Sequence, residues 1–472
     1  MNKKGSLLFY LLTLALTGFL IYIALQKGSS LEKTGTHSVL KEAVSKASPG
    51  TVIQLQTLHP LPVLLLQILV ILITAGLFGF LFNNRLIRQP AVIGEIVAGI
   101  ALGPSVLGLF FPTVSDYIFP PASLGNLQFL SQVGLILFMF VIGLELDSGL
   151  IAKQAYAAVI ISHSSIIVPY TLGMGLAYFL YREFAPVNVS FLSFALFMGI
   201  AMSITAFPVL ARIIRERGLT RTRLGAMSLT CAAANDVTAW CILAIVIAVA
   251  RAGSATSAWI TIGMAIGFVL IMLFVVKPLL SRLGKKASQS GRLNKTLLSF
   301  LFMLLLLSAY LAEIIGIHAL FGAFLAGVIM PDTPTFRKMV IDKIEDLSVV
   351  LLLPLFFVFT GLRTRIGLID SPHLWAVCGL ITLTAVAGKF GGSSISARIT
   401  GESWRDSLSI GALMNTRGLM ELVILNIGYD LGILSPAVFA MLVMMALVTT
   451  FMTCPLLDLL NRGEKHENLD FP

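Results

Sequence analysis

The heptapeptide Gly94-Glu-Ile-Val-Ala-Gly-Ile100 returns as Gly322-Ala-Phe-Leu-Ala-Gly-Val328, and Phe138-Met-Phe-Val-Ile-Gly-Leu144 returns as Phe356-Phe-Val-Phe-Thr-Gly-Leu362. Val237-Thr-Ala-Trp240 aligns more weakly with Val448-Thr-Thr-Phe451. Motifs that recur in one order mark a chain made of two like halves. Each copy lies in an apolar run, so the halves read as membrane helices. Only 12% of the 472 residues are charged and 57% are hydrophobic, whereas an ordinary soluble domain is roughly 25% charged. The mean hydropathy is +0.93.

Runs long enough to cross a bilayer, roughly 20 residues each, fall at 6–25, 61–82, 91–111, 126–146, 155–181, 190–214, 223–250, 257–281, 294–316, 346–366, 372–398, 404–429 and 435–460, with a shorter run at 318–331. Counting the short run separately predicts fourteen helices. With both termini inside, 23 of the 33 Lys and Arg residues lie on the cytoplasmic side and 8 outside, leaving Lys389 and Arg417 within the membrane. This is the positive-inside bias. Merging 294–331 into one helix would move the basic loop 332–345 outside and weaken it. Under this topology Gly94 lies on an outward-going helix and Gly322 on an inward-going one. The repeat is therefore inverted, as in many secondary transporters. The halves are 61–250 and 294–460, joined by a linker helix at 257–281.

Residues 1–26 read as a retained N-terminal signal anchor helix, 27–60 as an extracytoplasmic polar loop and 461–472 as a cytoplasmic tail. The net charge of +10 follows from the membrane topology and does not call for nucleic acid. Cys231, Cys241, Cys378 and Cys454 all sit in apolar runs and read as buried single thiols. Gly94-xxx-Ala98 and Gly322-xxx-Ala326 put small residues on one helix face, suited to close packing within a subunit or to a dimer contact.

Asp236 stands in Leu229-Thr-Cys-Ala-Ala-Ala-Asn-Asp-Val-Thr-Ala-Trp-Cys-Ile-Leu243, 13 residues into its run. At 1.5 Å per residue that is about 20 Å deep. A carboxylate at mid-membrane costs about 2.5–3.5 kcal/mol on the insertion scale and marks proton or cation carriage. Desolvation raises a carboxyl pKa and a nearby cation lowers it, so a balanced carboxylate trades a proton for a cation. Asn235 can orient it or ligate an ion. Lys389, deep in Ala385-Val-Ala-Gly-Lys-Phe-Gly-Gly392, needs a partner, and Asp236 is the expected one. Two helix breaks are predicted at matching places: Ser203-Ile-Thr-Ala-Phe-Pro208, where Thr205 can satisfy groups freed by Pro208, and Asn415-Thr-Arg-Gly-Leu-Met-Glu421, where Gly418 loosens the helix and Arg417 pairs with Glu421 at i,i+4. Thr416 lies inside the second break. Broken helices at matching positions point to a transporter's ion site. Glu95 is read in the first turn of its helix, Glu145 and Glu313 near helix ends, and His163 as a packing histidine.

These residues resemble the monovalent cation:proton antiporter-2 family, the Kef-type and plant CHX-type exchangers. The likeness covers roughly 61–460. It rests on Gly94-Glu-Ile-Val-Ala-Gly-Ile-Ala-Leu-Gly-Pro-Ser105, Gly143-Leu-Glu-Leu-Asp147, Thr205-Ala-Phe-Pro-Val-Leu-Ala-Arg212, Asn235-Asp236, His318-Ala-Leu-Phe-Gly-Ala-Phe-Leu-Ala-Gly327, Phe359-Thr-Gly-Leu362 and Asn415-Thr-Arg-Gly418. The resemblance implies an all-α polytopic membrane protein with an inverted-repeat Na+/H+ antiporter fold, a thirteen-helix core plus one N-terminal helix, and two broken crossing helices. It implies a homodimer, with a mobile core of 155–250 and 372–460 facing a dimer domain. It also implies ion and proton binding by Asp236, Asn235, Thr205 and Lys389, with transient Na+ or K+ on Asp236. Pro208, Asn415, Thr416, Arg417 and Glu421 would support the crossing.

The function expected is antiport of Na+ or K+ against H+ in the cell membrane, with no cofactor. Asn235, standing where some members carry a second aspartate, favours electroneutral exchange. A channel-like K+ efflux protein on the same fold is the alternative. A nucleotide-binding regulatory domain of the Kef kind is not expected after 460. The chain has no H-E-x-x-H or G-x-S-x-G, so an enzyme is not expected.

Overall fold

The computed structural model describes residues 60–84, 89–145, 155–219, 222–251, 255–281, 295–331 and 333–460, with part of a helix between residues 16 and 27. Nearly all of the expected 27–60 loop, the 461–472 tail and most of the expected anchor lie outside the described residues. Among the described residues the chain is helical throughout, with no strand. Ten helices among the described residues are long and apolar enough to cross a membrane, or eleven if one bent pair counts as a span.

Leaving aside short turns, the helices are α1 (Pro60–Phe82), α2 (Ala91–Leu102), α3 (Leu124–Glu145), α4 (Ala155–Phe184), α5 (Phe191–Ser203), α6 (Phe207–Glu216), α7 (Arg223–Arg251), α8 (Ala255–Ile271), α9 (Lys295–Ile315), α10 (Ala319–Val328), α11 (Pro334–Asp346), α12 (Leu353–Arg363), α13 (Pro372–Val386), α14 (Gly392–Ile399), α15 (Trp404–Met414), α16 (Leu419–Asp430) and α17 (Pro436–Leu460). Their starts follow local chemistry. Ser190, Ser371 and Ser403 each accept a hydrogen bond from the backbone N–H three residues on, satisfying a donor that the helix itself leaves free.

The helices pack as two groups. One contains α1–α3 and α9–α12, and the other contains α4–α7 and α13–α17. Helix α8 lies between them in sequence, touching α7 and α9. In the first group the repeated glycines meet crosswise. A Cβ on Gly361 would stand 2.4 Å from the carbonyl carbon of Gly99, and one on Gly143 would stand 2.3 Å from the carbonyl oxygen of Phe324 and 2.9 Å from the Cα of Gly327. Gly99 aligns with Gly327 in the repeat, and Gly143 with Gly361. Each motif of one half thus packs against the other motif of the second half. Gly94 and Gly322 serve packing inside the chain, against the backbone of Phe78 and of Ser308.

Three expectations are corrected. The 332–345 segment was expected to be a basic loop, but helix α11 starts at Pro334. Phe336, Val340 and Ile344 recur every four residues and are buried, so the segment hides an apolar stripe beneath its charges. Glu95 is the fifth residue of α2 and not in its first turn, because the helix starts at Ala91 after Pro90. Cys241 is exposed while the other three thiols are buried, since it faces outward from α7. Three π-helical turns interrupt the spans, at Met272–Val276, Leu347–Leu352 and Ala387–Gly391. The second precedes Pro354, which has no N–H to give, and the third carries Lys389.

Gly361→Val is expected to prevent stable folding, since backbone atoms occupy the space a side chain needs and overpacking typically costs about 1–3 kcal/mol or more. Gly175→Ala, in open space on α4, is expected to leave stability unchanged or raised by about 0.5–1 kcal/mol. Thermal melts of the two purified variants check the contrast.

Candidate functional site

Helix α5 ends at Ser203, the chain runs extended through Ile204 to Ala206, and Pro208 lies in the first turn of α6, where its missing N–H is no loss. The second break, Asn415 to Gly418, separates α15 from α16, which are bent by 43°. The breaks meet and complete each other. Ala206 N donates to Thr416 O at 3.0 Å, and Thr205 Oγ1 donates to Met414 O at 3.0 Å. Thr205 therefore satisfies the other break and not the groups freed by Pro208.

The last three carbonyls of α5 all receive cationic donors. Arg417 Nη1 donates to Ala201 O at 2.8 Å and Nη2 to Met202 O at 2.6 Å, while Lys389 Nζ donates to Ser203 O. Positive charge is favoured there because the helix dipole is negative at its C-terminus. Arg417 also pairs with Glu421 at 2.7 Å, and both side chains are fully buried. Thr450 of α17 locks the break from behind: its hydroxyl accepts from Arg417 N at 3.0 Å and donates to Arg417 O at 2.7 Å. Thr416 and Thr453 hydroxyls lie 3.4 Å apart.

Asp236 projects from α7 beside this junction, completely buried. Neither of its carboxylate oxygens has a hydrogen-bond partner. Both ends of the Asn235 amide are held, its Oδ1 accepting from Thr205 N at 3.3 Å and its Nδ2 donating to Ser165 Oγ at 2.8 Å. Of the two roles open to it, bracing is the one the bonds fill. The expected Asp236–Lys389 ion pair is absent. Lys389 is near enough to act on Asp236 through its charge, but its amine goes to Ser203 O, an acceptor that the helix break leaves open. Asn415 is buried with both amide atoms unpartnered.

The expected residues thus gather at one place, with Pro208 two residues beyond the crossing strand. The weaker candidates lie elsewhere. His163 Nδ1 sits 2.9 Å from Val159 O on its own helix. Glu313 pairs with Arg251 at 3.2 Å and accepts from Ala319 N at 2.8 Å. Glu145 ends α3.

Sequence reasoning passed over three participants. Ser165 stood in a serine run where His163 drew attention, and Thr450 stood in the weakest repeat motif. Arg363 gave no sequence signal. This residue of α12 pairs with Asp430 of α16 at 2.7 Å, donates to Asn426 Oδ1 at 3.2 Å and lies over the rings of Phe359 and Tyr429, at 4.6 Å and 5.3 Å from their centroids. Gln128 of α3 adds a 3.4 Å bond to Asp430. The cluster ties the two packing groups together at one end.

The sequence model of a family described as "Sodium/hydrogen exchanger, transmembrane" matches residues 68–459. The Na(+)/H(+) antiporter NhaS4 of Synechocystis sp. is 43% identical over 399 residues, which is 84% of this chain and 97% of that protein. Cation/H(+) antiporter 17 of Arabidopsis thaliana is 42% identical over 84% of this chain, and K(+)/H(+) antiporter 1 of Saccharomyces cerevisiae is 33% identical over 85%. The aligned region spans about half of each of these two relatives, 48% and 46%. The solved structure of the sodium proton antiporter MjNhaP1 from Methanocaldococcus jannaschii shares the fold, with a TM-score of 0.61 at 15% identity over 86% of this chain and 100% of that one.

Arg417→Ala is expected to destabilise the protein by about 3–5 kcal/mol, because it strands the buried Glu421 charge and opens two carbonyls. Arg417→Met with Glu421→Gln removes both charges and is expected to recover part of the loss. Thermal unfolding in detergent checks both.

Proposed function

This chain belongs to the sodium/hydrogen exchanger family, and we propose that it is a secondary transporter exchanging a monovalent cation, Na+ or K+, for H+ by alternating access. The observation that carries this reading is Asp236: a fully buried carboxylate with neither oxygen hydrogen-bonded to the protein. A charge taken out of water is strongly disfavoured unless paired. Lys389 has committed its amine to Ser203 O. Asp236 therefore requires a proton or a bound cation. Because one carboxylate serves both, each displaces the other, and that competition couples their fluxes.

The surrounding residues divide the work. Asn235 fixes α7 against the extended strand at Thr205 and so holds Asp236 beside the break. Arg417, Glu421 and Thr450 hold the second break, and Asn415 and Thr416 line it. Asn235 is neutral and Glu421 is paired with Arg417, so Asp236 is the carboxylate left to exchange a proton for a cation. While Lys389 stays protonated the exchange is one for one and electroneutral.

Alternating access moves the group α4–α7 and α13–α17 against the other. The polar and aromatic ties between them include the Arg363 cluster, the bonds from Asn426 Nδ2 to Thr360 Oγ1 at 2.8 Å and from Gln89 Nε2 to Phe451 O at 3.1 Å, and the stack of Trp240 on Phe324, with centroids 6.0 Å apart. The halves 61–250 and 294–460 are read as the inverted repeats. The group α1–α3 and α9–α12 is read as the dimer-forming part of a homodimer in the cell membrane, with both termini cytoplasmic.

Asp236→Asn is expected to abolish cation-driven proton movement while leaving a folded protein. Proteoliposomes loaded with a pH-sensitive dye, challenged with Na+ and then K+ at clamped and unclamped voltage, check this. Normal exchange by the variant would overturn the assignment. Cation flux without proton countermovement would replace exchange by conduction.

A further inference from the structure

Nine buried hydroxyls among the described residues lack a hydrogen-bond partner, and seven of them fall on four helices. They are Ser162 and Ser164 on α4, Ser228 on α7, Ser393 and Ser394 on α14, and Ser407 and Ser409 on α15. These four helices pack on one another. The ordinary fate of a helical hydroxyl is available in the same bundle: Ser165, Ser396 and Thr230 all donate to carbonyls of their own helices. An unpaired buried hydroxyl is costly, and buried polar groups of this kind normally share ordered water.

The serines lie between Asp236 and one end of the bundle. Ser228 is eight residues before Asp236 on α7, about 12 Å along the axis, and Ser407 is as far from Asn415 on α15. The bundle is tight between them: a Cβ on Gly411 of α15 would stand 2.0 Å from Ser394 Oγ, and one on Gly392 of α14 would stand 3.3 Å from Ser164 O. At the far end is Glu402, 8% exposed. Its carboxylate accepts from Arg223 Nη2 at 2.7 Å and its carbonyl from Arg398 Nη1 at 2.8 Å. The carboxylate also acts electrostatically on Cys231, five residues from Asp236.

We propose that the interior of this four-helix bundle is a hydrated proton path running from Asp236 to Glu402, which conducts only while Asp236 is closed to the outside, as coupled exchange requires. Hydroxyls and water pass a proton by exchanging donor and acceptor roles along a file. Arg223, paired with Glu402 at the mouth of the file, repels a metal cation there. Arg217, Arg223, Arg398 and Arg405 gather at this end, which the positive-inside rule places in the cytoplasm. The inference rests on the exchange function proposed above. It makes Glu402 the group that hands the proton between the file and the cytoplasm. The charged groups around it are Arg223 from α7, Arg398 from α14, and Arg405 and Asp406 from α15, with the Cys231 thiol inside.

Two measurements test the path. In a variant whose four native cysteines are replaced by serine or alanine, Ser228→Cys and Ser409→Cys are exposed to hydroxyl radical generated from water by an X-ray pulse, which oxidises side chains beside bound water, and are read by mass spectrometry. Both are expected to react, whereas Ile410→Cys, next along α15 but in the apolar core, stays unreactive. In proteoliposomes, Ser228→Val with Ser409→Val is expected to slow exchange at least tenfold while cation binding, read as a thermal shift with Na+ or K+, is unchanged. Glu402→Gln is expected to displace the cytoplasmic pH profile, and Glu402→Asp to restore it. Thiols at 228 and 409 as inert as at 410, exchange at the normal rate, or parallel loss of exchange and cation binding would each overturn the proposal. If the unsubstituted protein moves no protons, the exchanger reading falls by itself, and the labelling still decides whether the bundle is wet.

Discussion

Two helices break inside the membrane, and each break is made tolerable by the other. Backbone groups in hydrocarbon have no water to turn to, so irregular chain survives there only when the protein satisfies it. Ala206 N, Thr205 Oγ1 and Arg417 supply donors to Thr416, Met414, Ala201 and Met202, and Thr450 supplies both a donor and an acceptor to Arg417. Remove one strand and the other loses its partners. This mutual dependence fixes where α5 ends, where α16 begins, and therefore where polar groups can stand at mid-membrane.

Charge placement follows from the same constraint. A broken helix presents bare carbonyls at the negative end of its dipole, which draws Arg417 and Lys389 to the end of α5. Glu421 then balances Arg417. Asp236 is left as the carboxylate at this junction that the protein does not pair. A site built this way is rigid inside its own packing group, because all its bonds are made among α4–α7 and α13–α17. The contacts that reach the other group, at Arg363, Gln128, Asn426, Gln89 and Trp240, lie outside the junction. On the exchange mechanism proposed, the junction travels intact and the outer contacts change.

The other packing group is organised by size and not by charge. Gly99 against Gly361 and Gly143 against Gly327 bring backbones into contact, giving the dense packing that membrane helices use in place of a hydrophobic driving force. One group can thus hold its shape while the other carries polar chemistry in its interior.

The sequence by itself determined the membrane-helix class, the positions of most spans, the two breaks and the identity of the buried charges. These are legible because hydrocarbon imposes a strict rule: long apolar runs with rare exceptions, and each exception is a residue with a reason. Helix α11 escaped that reading because its charges hid a stripe at Phe336, Val340 and Ile344. The tertiary structure alone decided which groups pair. Lys389 took Ser203 O and not Asp236, Asn235 was consumed by Thr205 and Ser165, and Arg363 found Asp430 across the two packing groups. A residue's type states what it can bond. Which partner it bonds depends on carbonyls opened by a break and on helices distant in the chain, and those distances exist only once the chain has folded.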